Sequence, residues 1–182
     1  MLQILGVGLP RTGTASLTNA LKLLGYNAEH HAPHRLPLDG LHANSFKVFD
    51  DVDAVIDAPA CHFFEEIGNV YSDLTYILTV RNEDAWWRSI KLHSDKIITG
   101  GASTHIDYTR RLHGLIFDYP VPQEYLYRRA FRRHNQAVRT AIPPHRLLEI
   151  DVTTGGGWLK LCEWLHKGVP EQPFPWENRT AS

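Results

Sequence analysis

The chain has 182 residues, 43% hydrophobic and 21% charged, with 19 basic against 20 acidic side chains. That is enough for one domain with a packed core, and the ordinary apolar content excludes collagen-like, disordered and coiled-coil classes. A formal net charge of -1 excludes a protein devoted to wrapping duplex DNA, and no apolar run reaches the ~20 residues of a membrane span. The two cysteines, Cys61 and Cys162, lie outside any metal-ligand spacing, and the eleven histidines form no zinc pattern; no metal site is expected. So few cysteines, with no charged leader ahead of the first apolar run, predict a reducing, cytoplasmic setting. Arginine outnumbers lysine thirteen to six, a bias toward forked recognition of phosphate-like anions.

In chain order, Leu2–Val7 reads as a buried strand. Ser16–Leu24 follows as a helix, with Leu17, Ala20, Leu21 and Leu24 at helical spacing and Gly25 as its stop. Ala54–Ile56 is a short apolar strand ended by Asp57, ahead of Pro59. Leu74–Val80 predicts another strand and Glu83–Ile98 the helix after it. Residues Gly100–Pro122 carry glycines, prolines and scattered aromatics and read as an irregular connection or lid. Gln123–Ala141 is a helix that Pro143 and Pro144 stop, Arg146–Ile150 a last strand, and Gly157–His166 a last helix. The Pro-rich tail from Val169 reads as an extended arm. Strands alternating with helices predict one α/β domain over residues 1–182, three-layered, with a mainly parallel, doubly wound sheet.

The segment Gly6-Val-Gly-Leu-Pro-Arg-Thr-Gly-Thr-Ala-Ser16 joins the first strand to the first helix. A glycine-containing turn into a helix start gathers backbone N–H groups and the positive end of the helix dipole, which suits an anion. Arg11 adds a fixed charge, Thr12, Thr14 and Ser16 add hydroxyls, and Gly13 permits a path a side chain obstructs. Gly8 and Gly13 satisfy the G-x-x-x-x-G half of a nucleoside-triphosphate loop, but Thr14 replaces its lysine and Ala15 its magnesium-binding hydroxyl. The loop therefore predicts phosphate binding without a firmly held metal. A plainer role for Thr12 or Thr14 is that of helix N-cap.

Gly8-Leu-Pro-Arg-Thr-Gly-Thr-Ala-Ser-Leu17, with Ala20-Leu21 and Leu24-Gly25-Tyr26, resembles the opening of P-loop sulfotransferases, in particular a compact branch with a Pro-Arg-Thr-Gly-Thr loop. The resemblance implies a fold like that of P-loop nucleoside-triphosphate hydrolases. It also implies 3'-phosphoadenosine 5'-phosphosulfate (PAPS) as co-substrate, its 5'-phosphosulfate cradled by Arg11, Thr12, Gly13, Thr14, Ala15 and Ser16. Val80-Arg81-Asn-Glu-Asp-Ala-Trp-Trp-Arg-Ser89 is similar to the family's strand-ending arginine followed eight residues later by a serine, a pair implied to grip the 3'-phosphate. Ser89 lies roughly 9–10 Å along the following helix, so the pair meets only if that helix runs back toward the site. Arg146–Ile150, Gly157–Leu165 and Pro170–Pro175 with Asn178 also match endings of the compact branch.

Sulfuryl transfer needs a stabilised leaving phosphate and a base for the acceptor's proton. Arg11 fits the first role. Asp57, at the end of an apolar strand, is the candidate base, with burial expected to raise its pKa; capping the helix near Ala60 is the competing reading. His62 and the pair His30-His31 are reserves. The stripe Arg128, Arg129, Arg132 and Arg133 reads as a solvated face or an anionic landing strip, and Gly155–Gly157 as a connector or flap. Asn178-Arg179-Thr180 fits the glycosylation triplet. The acceptor is expected to be a small molecule or carbohydrate, contacted by His30–Pro37 and Gly100–Pro122. A small P-loop kinase and a non-catalytic binder of 3'-phosphoadenosine 5'-phosphate are the alternative functions.

Overall fold

Five short strands lie side by side in a parallel sheet: β1 (Ile4–Gly6), β2 (Ala28–His30), β3 (Ala54–Ile56), β4 (Thr75–Thr79) and β5 (Leu147–Ile150), in the order β2-β3-β1-β4-β5. The computed structural model describes residues 1–100 and 103–177; the Asn178-Arg179-Thr180 triplet lies outside them. Among the described residues six α-helices complete it: α1 (Thr14–Leu23), α2 (Phe64–Val70), α3 (Glu83–Gly100), α4 (Ser103–Phe117), α5 (Glu124–Ala141) and α6 (Gly157–Trp164). Because β1 is central, with β3 on one side and β4 on the other, the connections part at its carboxyl end. That edge is where open α/β sheets leave a crevice for ligands.

Strand alternation builds the two faces of the core. Leu5, Val55, Tyr76 and Leu78 pack with Phe64, Ile67, Val138 and Ile142 on one side. Ile4, Ile56, Ile77, Leu148 and Ile150 pack on the other with Leu17, Ala20 and Leu21 of α1 and Trp158, Leu161 and Cys162 of α6. Helix α1 ends in a Schellman turn: Gly25, at φ 92°, donates to Lys22 O, and Tyr26 N donates to Leu21 O. A third cluster joins Trp86 and Ile90 of α3 to Leu112, Ile116 and Phe117 of α4 and Tyr127 and Phe131 of α5.

The expected strands and helices are present with ends shifted by a few residues, and three further elements appear. The expected irregular segment contains α4, whose buried face is Thr109, Leu112, His113, Ile116 and Phe117, spaced at three and four. Two of those five are polar, which hides the stripe from a reading of apolar periodicity. Strand β2 sits at the sheet edge with Glu29 and His30 half-buried, and α2 is a short helix that starts beyond the Asp57 turn.

The arginine stripe of α5 is a set of ion pairs. Arg128 and Arg132 meet Glu83, and Arg129 and Arg133 meet Asp118. Cys61 and Cys162 are both free and buried.

The tail runs as an extended arm whose Phe174 ring sits against Gly157, where an added Cβ would lie 2.4 Å from a ring carbon. Glycine-to-alanine exchange inside a helix ordinarily stabilises by about 1 kcal/mol. Here Gly157→Ala is expected to lower unfolding stability by about 1–3 kcal/mol through overpacking, measured by urea denaturation. A gain in stability would contradict the close packing of arm on α6.

Candidate functional site

The loop from Val7 to Gly13 is held by its carbonyls. His134 Nε2 donates to Val7 O at 2.7 Å, Thr12 Oγ1 to Leu9 O at 2.7 Å, Trp86 Nε1 to Pro10 O at 2.9 Å, and Arg81 Nη1 to Arg11 O at 3.0 Å. Thr12 Oγ1 also bonds Thr79 Oγ1 at 2.6 Å, beneath the loop. A Cβ on Gly8 would fall 1.9 Å from the same Thr79 oxygen, so glycine there permits the close approach of loop to β4. Gly13, at φ 100°, takes the N-cap position of α1 in the left-handed region, and a Cβ on it would strike Val152 at 2.3 Å.

Neither Thr12 nor Thr14 caps α1 through its side chain. Helical bonding begins with Leu17 N donating to Gly13 O, so the amides of Thr14, Ala15 and Ser16 precede the first helical bond. These residues, with Pro10, Arg11 and Gly13, line a cavity of about 930 Å³. Its other walls come from the carboxyl ends of the remaining strands: His30 at the end of β2, Asp57 after β3, Arg81 and Asn82 after β4, and Asp151–Thr154 after β5.

Helix α3 does run back toward the loop. Ala85 and His93 line the cavity one turn either side of Ser89, whose buried Oγ accepts from Arg11 Nε at 3.1 Å. The structure thus gathers Arg11, Arg81 and Ser89 into one group, with Ser89 behind Arg11 and Arg81 on the cavity wall. Burial, then the charge of Arg81, lowers the pKa of Arg11, which Asp57 partly offsets. Burial likewise lowers that of Arg81, with Asp151 opposing. Two guanidinium groups so placed favour a dense anion between them.

Asp57 ends β3 at φ 79° and is 7% exposed. Its Oδ1 accepts from Ala58 N at 2.7 Å; its Oδ2 accepts from Thr14 Oγ1 at 2.9 Å and faces His30 Nε2 at 2.9 Å. His30 Nε2 also lies 3.2 Å from Thr14 Oγ1, which closes a triangle of Asp57, His30 and Thr14. Burial pushes the Asp57 carboxyl up, but His30, the Ala58 amide and His31 together hold it below the usual carboxylate range. This reverses the sequence-based expectation of a raised pKa: donors outweigh desolvation. The side-chain cap is absent as well, since α2 starts only at Phe64 and the carboxylate holds its own neighbour's amide.

Of the reserve histidines, His30 joins the site. His31 faces a second cavity, and His62 lies edge-on to Phe63 with ring centroids 5.0 Å apart. Sequence reading passed over Asp151–Thr154, His93 and Trp176. The strand-end rule that selected Asp57 and Arg81 also points to Asp151–Thr154, and the i, i+4, i+8 series Ala85, Ser89, His93 points to His93. Among the described residues no group of three or more His, Cys, Asp or Glu side chains is gathered for a metal, and no helix is long and apolar enough to cross a membrane.

The lowered Asp57 pKa carries a pH signature. A depressed folded-state pKa contributes stability that is full above the unfolded value, near 3.8, and lost as pH falls through the folded one. The stability difference between wild type and Asp57→Asn is therefore expected to narrow on acidification below that value, in urea titrations. A gap that stays constant or widens there would contradict the donor set around Asp57.

The sulfotransferase-domain family profile matches residues 3–182. Ava biosynthesis cluster protein M of Aspergillus versicolor is 30% identical over 211 aligned residues, covering 96% of this chain and 80% of that protein. With the profile spanning the sheet and every wall of the cavity, the chain belongs to the sulfotransferase-domain family.

Proposed function

We propose that this protein transfers a sulfuryl group from PAPS to a hydroxyl or amine of a small-molecule or carbohydrate acceptor. The observation that carries the reading is the convergence of Arg11 and Arg81 on a cavity bordered by the first-turn residues of α1. Unspent helix-start amides beside forked cations suit phosphate groups. Gly13, in the left-handed region and packed where a Cβ would strike Val152, sets the turn that brings those amides to the cavity. Thr14, at the lysine position of a triphosphate loop, turns its hydroxyl to Asp57, and Ala15 offers no metal-binding oxygen. These features favour a phosphosulfate donor over magnesium–ATP. In this reading Gly13, Thr14, Ala15, Ser16 and Arg81 hold the nucleotide, while Thr12 and Ser89 hold the loop and Arg11 in place.

Arg11 is placed to neutralise the charge that grows on the bridging oxygen as the sulfur–phosphate oxygen bond breaks and the acceptor oxygen bonds to sulfur. A neutral His30 that donates Nε2–H to Asp57 keeps its lone pair on Nδ1, and its side chain is 33% exposed. The acceptor's proton is assigned to that imidazole, with Asp57 fixing the ring and balancing its charge. Asp57 itself, with three donors on a carboxyl held below the usual carboxylate range, is a poor base. The acceptor is assigned to the second cavity, of about 490 Å³, lined by His31, Pro33, Pro37, Leu38, Tyr108 and Arg111 among others. Both segments expected to contact an acceptor meet there, and the Tyr108 hydroxyl is buried in it without a hydrogen-bond partner among the described residues. Burial raises that phenol to about 12, so it stays a donor at neutral pH.

Two experiments test this. In a thermal-shift assay with a chelator present, 3'-phosphoadenosine 5'-phosphate is expected to stabilise the protein more than ATP or AMP, and Arg81→Ala to abolish the shift. Stronger stabilisation by ATP, once magnesium replaces the chelator, than by 3'-phosphoadenosine 5'-phosphate would overturn the reading in favour of a kinase. In turnover with labelled PAPS and a panel of phenols, alcohols and sugars, His30→Ala and Asp57→Asn are each expected to lose about 10²-fold or more while still binding the bisphosphate. Bisphosphate binding with no sulfated product from any acceptor would favour a non-catalytic binder. Undiminished turnover in either variant would remove that residue from proton transfer.

A further inference from the structure

The guanidinium that lines the second cavity already holds a carboxylate. Arg111 of α4 donates from Nη1 to Asp39 Oδ2 at 2.7 Å and from Nη2 to Asp39 Oδ1, a two-bond fork. Both side chains line the cavity and both are solvated, Arg111 50% exposed and Asp39 78%. A pair so exposed is screened by water and stabilises little. Asp39 precedes Gly40, which has φ 71° and nothing within 4 Å of an added Cβ, so its carboxylate has room to turn outward. The neighbouring cations are committed elsewhere: His34 faces Glu29 at 3.2 Å, and Arg35 is held by Glu29 and Asp51. The rest of the wall is mainly apolar, with Pro33, Pro37 and Leu38 beside the rings of His31 and Tyr108, which meet edge-on at 6.3 Å. The cavity thus combines apolar, ring-bearing walls with one fork shaped for a carboxylate, the make-up of a site that orients a small ligand by a single charged group.

We propose that the acceptor is a hydroxylated aromatic acid whose carboxylate takes the place of Asp39 on Arg111. The proposal rests on the transfer reading above and names the class of its acceptor. Asp39 is then a stand-in that keeps the guanidinium paired while the cavity holds no acceptor. The incoming carboxylate makes the same two bonds, and the ring attached to it leaves water for the apolar wall, a gain Asp39 cannot supply. One carboxylate replaces another, so the charge at Arg111 stays balanced while Asp39 returns to solvent. The fork also sets the direction of entry: with the carboxylate at Arg111, the hydroxyl at the other end of the ring is the one left for transfer.

Isothermal titration of one- and two-ring hydroxylated aromatic acids, each paired with its methyl ester, into wild type, Arg111→Gln and Asp39→Asn tests it. The acids are expected to bind wild type about tenfold or more tightly than their esters, and Arg111→Gln to abolish that ratio. Asp39→Asn, which frees the fork, is expected to widen the ratio by about twofold to fivefold. Equal affinity for acid and ester in wild type, or no binding of any pair, would overturn the proposal. So would a parallel loss of acid and ester in Asp39→Asn, because the ion pair would then be a clasp that shapes the cavity. Turnover of the same pairs with labelled PAPS separates this proposal from the reading beneath it. Sulfated esters formed as readily as sulfated acids would overturn the carboxylate fork and leave sulfuryl transfer standing. Acids that bind through Arg111 yet give no sulfated product would overturn the transfer reading and leave the carboxylate site standing.

Discussion

The site depends on one constraint: the loop between β1 and α1 spends its carbonyls on the protein and keeps its helix-start amides beside the cavity. Four of the five carbonyls from Val7 to Arg11, those of Val7, Leu9, Pro10 and Arg11, are taken by His134, Thr12, Trp86 and Arg81. Those donors come from α5, the loop itself, α3 and the end of β4, so three parts of the fold converge to hold one turn. Buried carbonyls left unpaired would be costly, which ties the loop's shape to the packing of the helices behind it. Arg81 serves twice, bracing the Arg11 carbonyl while its guanidinium borders the cavity.

The same economy governs Asp57. A buried carboxylate is tolerated when donors compensate it, and here an amide, a hydroxyl and an imidazole do so. Thr14 thereby links the anion loop to the proton-handling side of the cavity through a single oxygen. That link explains how a residue at the lysine position of a triphosphate loop stays useful without charge: it fixes Asp57 and His30 relative to α1. The second cavity begins at the next residue, His31.

Much of this was legible in sequence because strand ends and glycine turns are local signals. The apolar runs around Ile4, Val55 and Ile77 are buried on both faces and read as continuous hydrophobic stretches. Asp57 and Arg81 follow such runs directly, and Arg11 lies in the glycine turn after the first. Helix α4 was hidden because Thr109 and His113 fill core positions that periodicity reserves for apolar residues, and β2 because an edge strand needs no apolar face. The direction of the Asp57 shift was misread because burial is visible in a strand-end position, whereas its partners His30 and Thr14 are brought in by tertiary structure. Trp176 gave no local signal; its place follows from the anchoring of the arm at Phe174 and Glu177.

The central claim is that the opening turn of α1 receives the phosphate end of a bisphosphate nucleotide. Amide chemical-shift mapping in a ¹⁵N-labelled sample titrated with 3'-phosphoadenosine 5'-phosphate tests it most directly. The account predicts the largest shifts at Gly13, Thr14, Ala15 and Ser16, with smaller ones at Arg81 and in the Asp151–Thr154 loop. Shifts confined to other surfaces, with those four amides unmoved at saturation, would contradict it.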